Sequence, residues 1–292
     1  NEQEIGRNGF KGYLAKWDQH PDRDDAWADQ ERASIGEERF LREHECRFII
    51  FEETLINSLF LAQMRGIEPI RNMGQVRWYK HPHPNYSYIV SLDPAAGTGG
   101  DNAAIQVIEL PTMEQVAEWQ HNKTPVEGQV RCKMDIMQYM NEMRVKQVYW
   151  SVENNTIGEA ALVVIRDTGE ENFPGDMLSE PKKVSGARSR KGFHTGQRSK
   201  LEACLSLKSL VESEKLKLHS KPLISELKNF VAKGNSFAAK PGEKDDLVMS
   251  LVLAVRMINF VSTFEDDVYD VVNNNLTNGF VGEYEDEWDG PM

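Results

Sequence analysis

The sequence predicts an α/β fold: a mixed sheet, built as an antiparallel meander plus parallel strands, flanked by helices. Three observations carry that expectation. The apolar-rich runs 88–92, 103–110 and 116–121 follow one another at hairpin spacing, with turn residues between them. A run of helical periodicity, 126–143, then leads into a short buried-type strand, 148–152. Helical patterns dominate from there to residue 257.

In chain order, residues 1–84 are charged and turn-rich. A short apolar stretch, 10–17, precedes Pro21-Asp22-Arg23-Asp24-Asp25, and a helix is expected over 25–44. A short segment, 47–51, leads to Leu55 and Ile56. The prolines of His81-Pro82-His83-Pro84 disfavour helix and bias the chain toward extended backbone, which places a boundary there. Beyond it come the meander, the helix and the buried strand, then a second helix over 157–166. A third helix begins at Ser199-Lys200-Leu201-Glu202, a capping-box match, with Leu201, Cys204, Leu205 and Val211 expected on one face. After a less regular stretch at 227–239, Asp245 sits where an N-cap belongs for a last helix carrying Leu247, Val248, Leu251, Val252, Ala254 and Val255. The expected division is 1–84, a domain over 85–264, and an acidic tail over 265–292. A meander followed by helices around a central strand describes the ribonuclease H fold.

Composition narrows the function classes. The 292 residues, 40% of them hydrophobic, suffice for a core, and no apolar run approaches the roughly 20 residues that span a bilayer. The polar start Asn1-Glu2-Gln3-Glu4 has no signal-peptide character, and Asn1 in place of Met suggests a piece of a longer chain. Cys46, Cys132 and Cys204 are odd in number and lack a C-x-x-C, which argues against a disulfide framework or a cysteine zinc site and fits a reducing cytoplasm. The net charge of -12 argues at first against a nucleic-acid partner. Its distribution reverses that argument: nine acids and no Lys or Arg lie in 257–292, which leaves the rest close to neutral. Conversely, 181–201 holds Lys182, Lys183, Arg188, Arg190, Lys191, Arg198 and Lys200 without an acid, interspersed with Gly, Ser and Thr. It reads as a basic loop, either a solvated surface or a grip on phosphates.

The candidate chemistry rests on acids at element ends. Asp93 closes 88–92, Glu153 closes 148–152, and Asp245 and Asp246 open the last helix. Carboxylates so placed can hold two divalent cations about 3.5–4 Å apart, the arrangement that hydrolyses phosphodiesters. Each has a plainer reading. Asp93-Pro94 before Ala95-Ala96-Gly97-Thr98-Gly99-Gly100 also suits a strand end and turn, and Asp245 suits a helix cap. Glu153 is harder to explain so, because an unpaired carboxylate at the end of a buried strand is expensive. Asp101, after the glycine turn, is an auxiliary acid or an ordinary turn residue. His81 and His83 read as an exposed turn, His44 lacks zinc-site spacing, and His194 lies within the basic loop. No G-x-x-x-x-G-K-[ST] occurs, so no ATP hydrolysis is expected.

Further segments resemble a known family. His20-Pro21-Asp22-Arg23-Asp24-Asp25-Ala26-Trp27, then Phe40-Leu41-Arg42-Glu43-His44-Glu45-Cys46-Arg47-Phe48 and Thr54-Leu55-Ile56 are similar to the segment that joins the ATPase and nuclease halves of tailed-bacteriophage large terminases. Lys244-Asp245-Asp246-Leu247-Val248-Met249-Ser250-Leu251 resembles the final nuclease motif of the myophage type. The resemblance implies a DNA-packaging protein whose ribonuclease H-like domain cuts concatemeric double-stranded DNA with Mg or Mn. It makes Asp93, Glu153 and Asp246 the catalytic acids and metal ligands, with Asp245 and Asp101 auxiliary. The cations Arg188, Arg190, Lys191, Arg198 and Lys200 would grip the DNA backbone. Partners implied are the ATPase half of the same protein, the portal protein and the small terminase subunit, at a procapsid portal in the host bacterial cytoplasm. Two other classes stay open: an ATPase of the actin and sugar-kinase type, whose duplicated second domain is not seen, and a noncatalytic module that docks on a portal.

Overall fold

The computed structural model describes residues 16–35, 40, 43–45, 54–180 and 191–273. Most of the stretch 10–17, the segment 47–51, Cys46, the loop cations Lys182, Lys183, Arg188 and Arg190, and residues 274–292 lie outside them. The helices are α1 (Asp25–Ile35), α2 (Ser58–Gln63), α3 (Val126–Glu142), α4 (Thr156–Thr168), α5 (Gln197–Glu212), α6 (Lys221–Lys228), α7 (Asp246–Val261) and α8 (Asp266–Asn273). The strands are β1 (Arg71–Met73), β2 (Val76–Trp78), β3 (Ser87–Asp93), β4 (Ala103–Leu110), β5 (Glu114–His121), β6 (Gln147–Val152), β7 (Asp176–Met177), β8 (Phe230–Lys233) and β9 (Ser236–Ala239).

One sheet runs in the order β1-β2-β5-β4-β3-β6-β7. The pairs from β1 to β3 are antiparallel, whereas β6 runs parallel to both β3 and β7. This is the expected mixed sheet. The inner strand β3 is buried on both faces, and alternation assigns its side chains. Tyr88, Val90 and Leu92 join the core layer under α3 and α4, with Val130, Met137 and Ala161. Ile89 joins the opposite layer, under α5, α6 and α7, with Leu207, Leu251 and Val255.

Several expectations need correction. The sheet starts upstream of the proline-rich boundary at 81–84, because the hairpin β1–β2 pairs onto β5. The turn between Met73 and Val76 is Gly74-Gln75, with Gly74 at φ +58, a two-residue hairpin signal that polar neighbours masked. Arg77 and Tyr79 carry that region into the fold by donating to the buried carboxylate of Glu118 at 2.8 and 2.7 Å. Helix α1 is described only to Ile35 of the expected 44. Ser199 does not cap α5: the N-cap is Gly196, and the Ser199 hydroxyl accepts from the Gly196 N–H at 3.0 Å. That is half of a capping box, since glycine has no side chain to return the bond. Leu205 is 51% exposed, and the buried face of α5 runs instead through Ala203, Cys204, Leu207, Leu210 and Val211. The stretch 227–239 contains the end of α6 and the hairpin β8–β9. The acidic region after 264 begins as helix α8, with Val268 buried and Glu265 accepting from the Tyr149 hydroxyl at 2.6 Å.

Candidate active site

The strand period decides where the acids face. Ile89 and Ser91 look toward α7, so Asp93, two residues on, follows them to that side. In β6 the parallel register pairs Leu92 with Val152, and the Glu153 N–H continues it by donating to the Leu92 carbonyl at 2.9 Å. Asp93 and Glu153 therefore leave adjacent strand ends side by side. Helix α7 is seated on β3 through small residues: the Ser91 hydroxyl donates to the Ser250 carbonyl at 2.8 Å and lies 3.0 Å from the Ser250 hydroxyl. Ser250 is one helical turn beyond Asp246, so this contact sets the height of Asp246 against Asp93.

The result is one cleft of about 500 Å³ lined by Asp93, Asp101, Glu153, Asp245, Asp246 and Lys200. Glu153 and Asp246 are buried, at 7% and 8% exposure. The loop after Asp93 is held by Gln129, whose amide donates to the carbonyls of Ala95 and Thr124 at 2.7 and 2.8 Å. Gly97 in that loop, at φ +71, leaves no room for a Cβ, which would meet the Thr124 carbonyl oxygen at 2.3 Å.

Two asparagines that sequence reasoning passed over bind the ligand candidates. Asn102 donates its backbone N–H and its Nδ2 to Oδ2 of Asp246, at 3.1 and 2.6 Å. Asn155 donates Nδ2 to Oε2 of Glu153 at 2.9 Å while its Oδ1 caps α4 at the Gly158 N–H, 2.8 Å away. Asn-Asn after a strand-end acid and Asn before a strand were the available signals. Asp245 occupies the N-cap position of α7 without capping it, because its side chain turns away to accept from the Ala239 N–H at 3.1 Å.

Lys244 donates to Asp101 at 2.8 Å and to the Gly100 carbonyl at 3.2 Å, so Asp101 enters the cleft already paired. Among the loop cations, Lys200 reaches the cleft, Lys191 pairs with Glu170 and Arg198 pairs with Glu202 at 2.8 Å. His194 lines a neighbouring cleft, with its Nδ1 2.9 Å from the Asn154 carbonyl.

Charge is the dominant feature of the site. Loss of water around the Asp93 carboxyl, then the charge and hydrogen bond of Glu153, then the charges of Asp246 and Asp245, all push its pKa well above the usual carboxylate range. Burial raises Asp246 as well, against the two Asn102 hydrogen bonds that favour its charged form. Five carboxylates around a single described lining lysine form a donor set of hard oxygens with an unmet demand for positive charge, which suits Mg or Mn. Among the described residues no three His, Cys, Asp or Glu side chains are already drawn into a closed ligand group.

Glu226, on α6, backs the site. It accepts from the Val248 N–H at 3.1 Å and from Gln120 at 2.9 Å, and burial, reinforced by the Asp246 charge, pushes it up to about 7. The unfolded chain releases this proton near its ordinary value, 4.5, while the folded chain keeps it to about 7. Folding therefore loses stability as pH rises across that window, by about 3 kcal/mol in full. Glu226→Gln is expected to remove this slope, since Gln120 can rotate its amide to present an oxygen. Urea melts in EDTA should show the variant gaining on the wild type from pH 4.5 to 7, and parallel curves would refute the assignment.

Residues 90–257 match the model of the terminase RNaseH-like domain family. The large terminase nuclease from thermophilic phage G20c with bound magnesium is 17% identical, with a TM-score of 0.52 over 71% of this chain and 98% of that one. Another structure of the G20c nuclease is 18% identical, with a TM-score of 0.52 over 70% and 98%. Its form with bound cobalt gives 17% and 0.51 over 71% and 98%. Identities this low show a shared fold, the ribonuclease H-like sheet with its helices. The family match covers more than half of the sequence and contains all three principal acids, and on it the chain belongs to the terminase RNaseH-like domain family.

Proposed function

We propose that this domain is a divalent-metal-dependent endonuclease that cuts concatemeric double-stranded DNA at a two-metal site during viral DNA packaging. The observation that carries the reading is the meeting of Asp93, Glu153 and Asp246, from three separate elements, in one cleft whose charge is unbalanced. Asp93 would hold both cations, Glu153 one of them and Asp246 the other, with Asp245 and Asp101 at the margin. Bound there, Mg or Mn would supply the positive charge that offsets the carboxylates and favours attack of water on the phosphodiester. The chain itself orients the two carboxylates through Asn102 and Asn155, and offers Lys200 to the incoming phosphate.

Phosphate contacts carry no sequence information, so cutting by the domain alone should be largely nonspecific. Timing would then come from the ATPase half, the portal protein and the small terminase subunit, at a procapsid portal in the host cytoplasm. The test is nicking of supercoiled plasmid with Mg or Mn and none in EDTA. Cleavage that survives EDTA, or no cleavage under any metal, would refute the proposal.

The basic loop gives a second test. Replacing Arg188, Arg190 and Lys191 with Ala should weaken binding about equally for unrelated DNA sequences. The salt dependence should flatten by roughly 1 in slope per lost contact. An unaltered slope would mean that DNA enters by another face.

A further inference from the structure

We infer that Asn102 sets the metal preference of the site, by holding Asp246 to single-oxygen coordination and so favouring Mg or Mn over Ca. The inference rests on the metal-dependent nuclease reading above. A carboxylate oxygen has two in-plane lone pairs, and Asn102 fills both on Oδ2 of Asp246 with its two donors. Only Oδ1 is left to face the cleft. Asn155 takes one lone pair of Oε2 on Glu153 and leaves the other open, so it orients Glu153 without confining it to one oxygen; it cannot turn its amide over, because its Oδ1 must accept from the Gly158 N–H. Both asparagines are fixed by backbone: Asn102 immediately precedes β4 and Asn155 is the N-cap of α4.

The chemical consequence follows from the size of the ions. Ca takes about 6–8 oxygens at about 2.3–2.6 Å and commonly accepts both oxygens of a carboxylate, whereas Mg needs near-octahedral geometry at about 2.0–2.1 Å and keeps several waters. A carboxylate clamped on one oxygen cannot chelate the larger ion. It still serves the smaller one, and leaves coordination positions for water and phosphate. Asn102 and Asn155 are thus positioning residues that act through the ligands, a role outer-shell hydrogen bonds commonly have at metal sites.

The experiment is calorimetric titration of the full chain with MgCl2, MnCl2 and CaCl2 in the absence of DNA. Asn102→Ala removes the side-chain donor and keeps the backbone one. Asn155→Ser keeps a capping hydroxyl for α4 and loses the donor to Glu153. Asn102→Ala is expected to lose about tenfold in Mg and Mn affinity, the lower end for outer-shell partners, while Ca affinity stays or rises; Asn155→Ser, which frees no confined oxygen, is the control expected to weaken all three ions alike. In Asn102→Ala the Ca-to-Mg affinity ratio then moves about tenfold toward Ca. Equal losses for all three ions in Asn102→Ala, or an unmoved ratio, overturn the inference, since a merely structural role would weaken every ion alike. A Ca-soaked crystal of the wild type tests it even if a variant does not fold: coordination through Oδ1 alone is expected at Asp246, and bidentate coordination overturns it. If the wild type binds none of the three ions, the nuclease reading falls together with this one. If it binds Mg and the ratio is unmoved, only the role of Asn102 falls.

Discussion

Replacing Asp93 with Asn should abolish DNA cleavage and, in EDTA at neutral pH, raise the melting temperature. The two effects have one cause. Asp93 sits against Glu153, Asp246 and Asp245, so its ionised form is disfavoured in the folded chain. A folded pKa above the unfolded one means a stability penalty that is absent at low pH and grows as pH rises past the unfolded value. Asn carries no charge, so the variant should gain on the wild type with rising pH. Cleavage should fall by at least about 10²–10³-fold, the scale of losing one group that stabilises transition-state charge. Mg should raise the melting point of the wild type and leave that of the variant nearly unmoved. Wild-type cleavage rates in the variant would sink the assignment of Asp93.

Gly158→Ala should destabilise the fold and cripple cleavage, although its helical position argues for the reverse. Helix propensity alone favours Ala over Gly by about 1 kcal/mol. Sterics run the other way: a Cβ at Gly158 would stand 1.7 Å from the carbonyl oxygen of Glu153. That neighbour is backbone, so either α4 or the end of β6 has to move by roughly an ångström or more. Overpacking of this kind costs about 1–3 kcal/mol, which outweighs the propensity gain. The displaced residue is a candidate ligand, and misplacement by about 1 Å can cost about 10²-fold in rate. Urea melts and plasmid-nicking rates on the same preparation measure both. A stabilised variant, or one that cuts at the wild-type rate, would show that Glu153 is not held as described.

The parts of this domain legible in the sequence are those in which local pattern and burial agree. Strands β3, β4 and β6 are apolar-rich runs buried in the sheet, and the ends of β3 and β6 place Asp93 and Glu153 without reference to the rest of the fold. Helix α7 is apolar over most of its length, with Asp246 at its first turn. The hairpin β1–β2 was illegible because its strands are only three residues each, with only Val76 and Trp78 buried and Arg71, Asn72 and Arg77 polar among them. The roles of Asn102, Gln129, Asn155 and Gly158 were illegible for a different reason. Each acts on an atom brought near by the fold or by a turn, as Gln129 does on Ala95, and a single sequence shows no partner for it. Lys191 and Arg198 are a case where sequence proximity misled: their stretch holds no acid, yet Glu170 and Glu202 reach them.

The central claim is that Asp93, Glu153 and Asp246 together hold the catalytic metal. Anomalous scattering from a Mn-soaked crystal tests it most directly. The account predicts two Mn peaks about 3.5–4 Å apart within the acidic cleft, with Asp93 in contact with both, Glu153 with one and Asp246 with the other. Mn bound elsewhere on the chain, with these three carboxylates left without it, would contradict the claim.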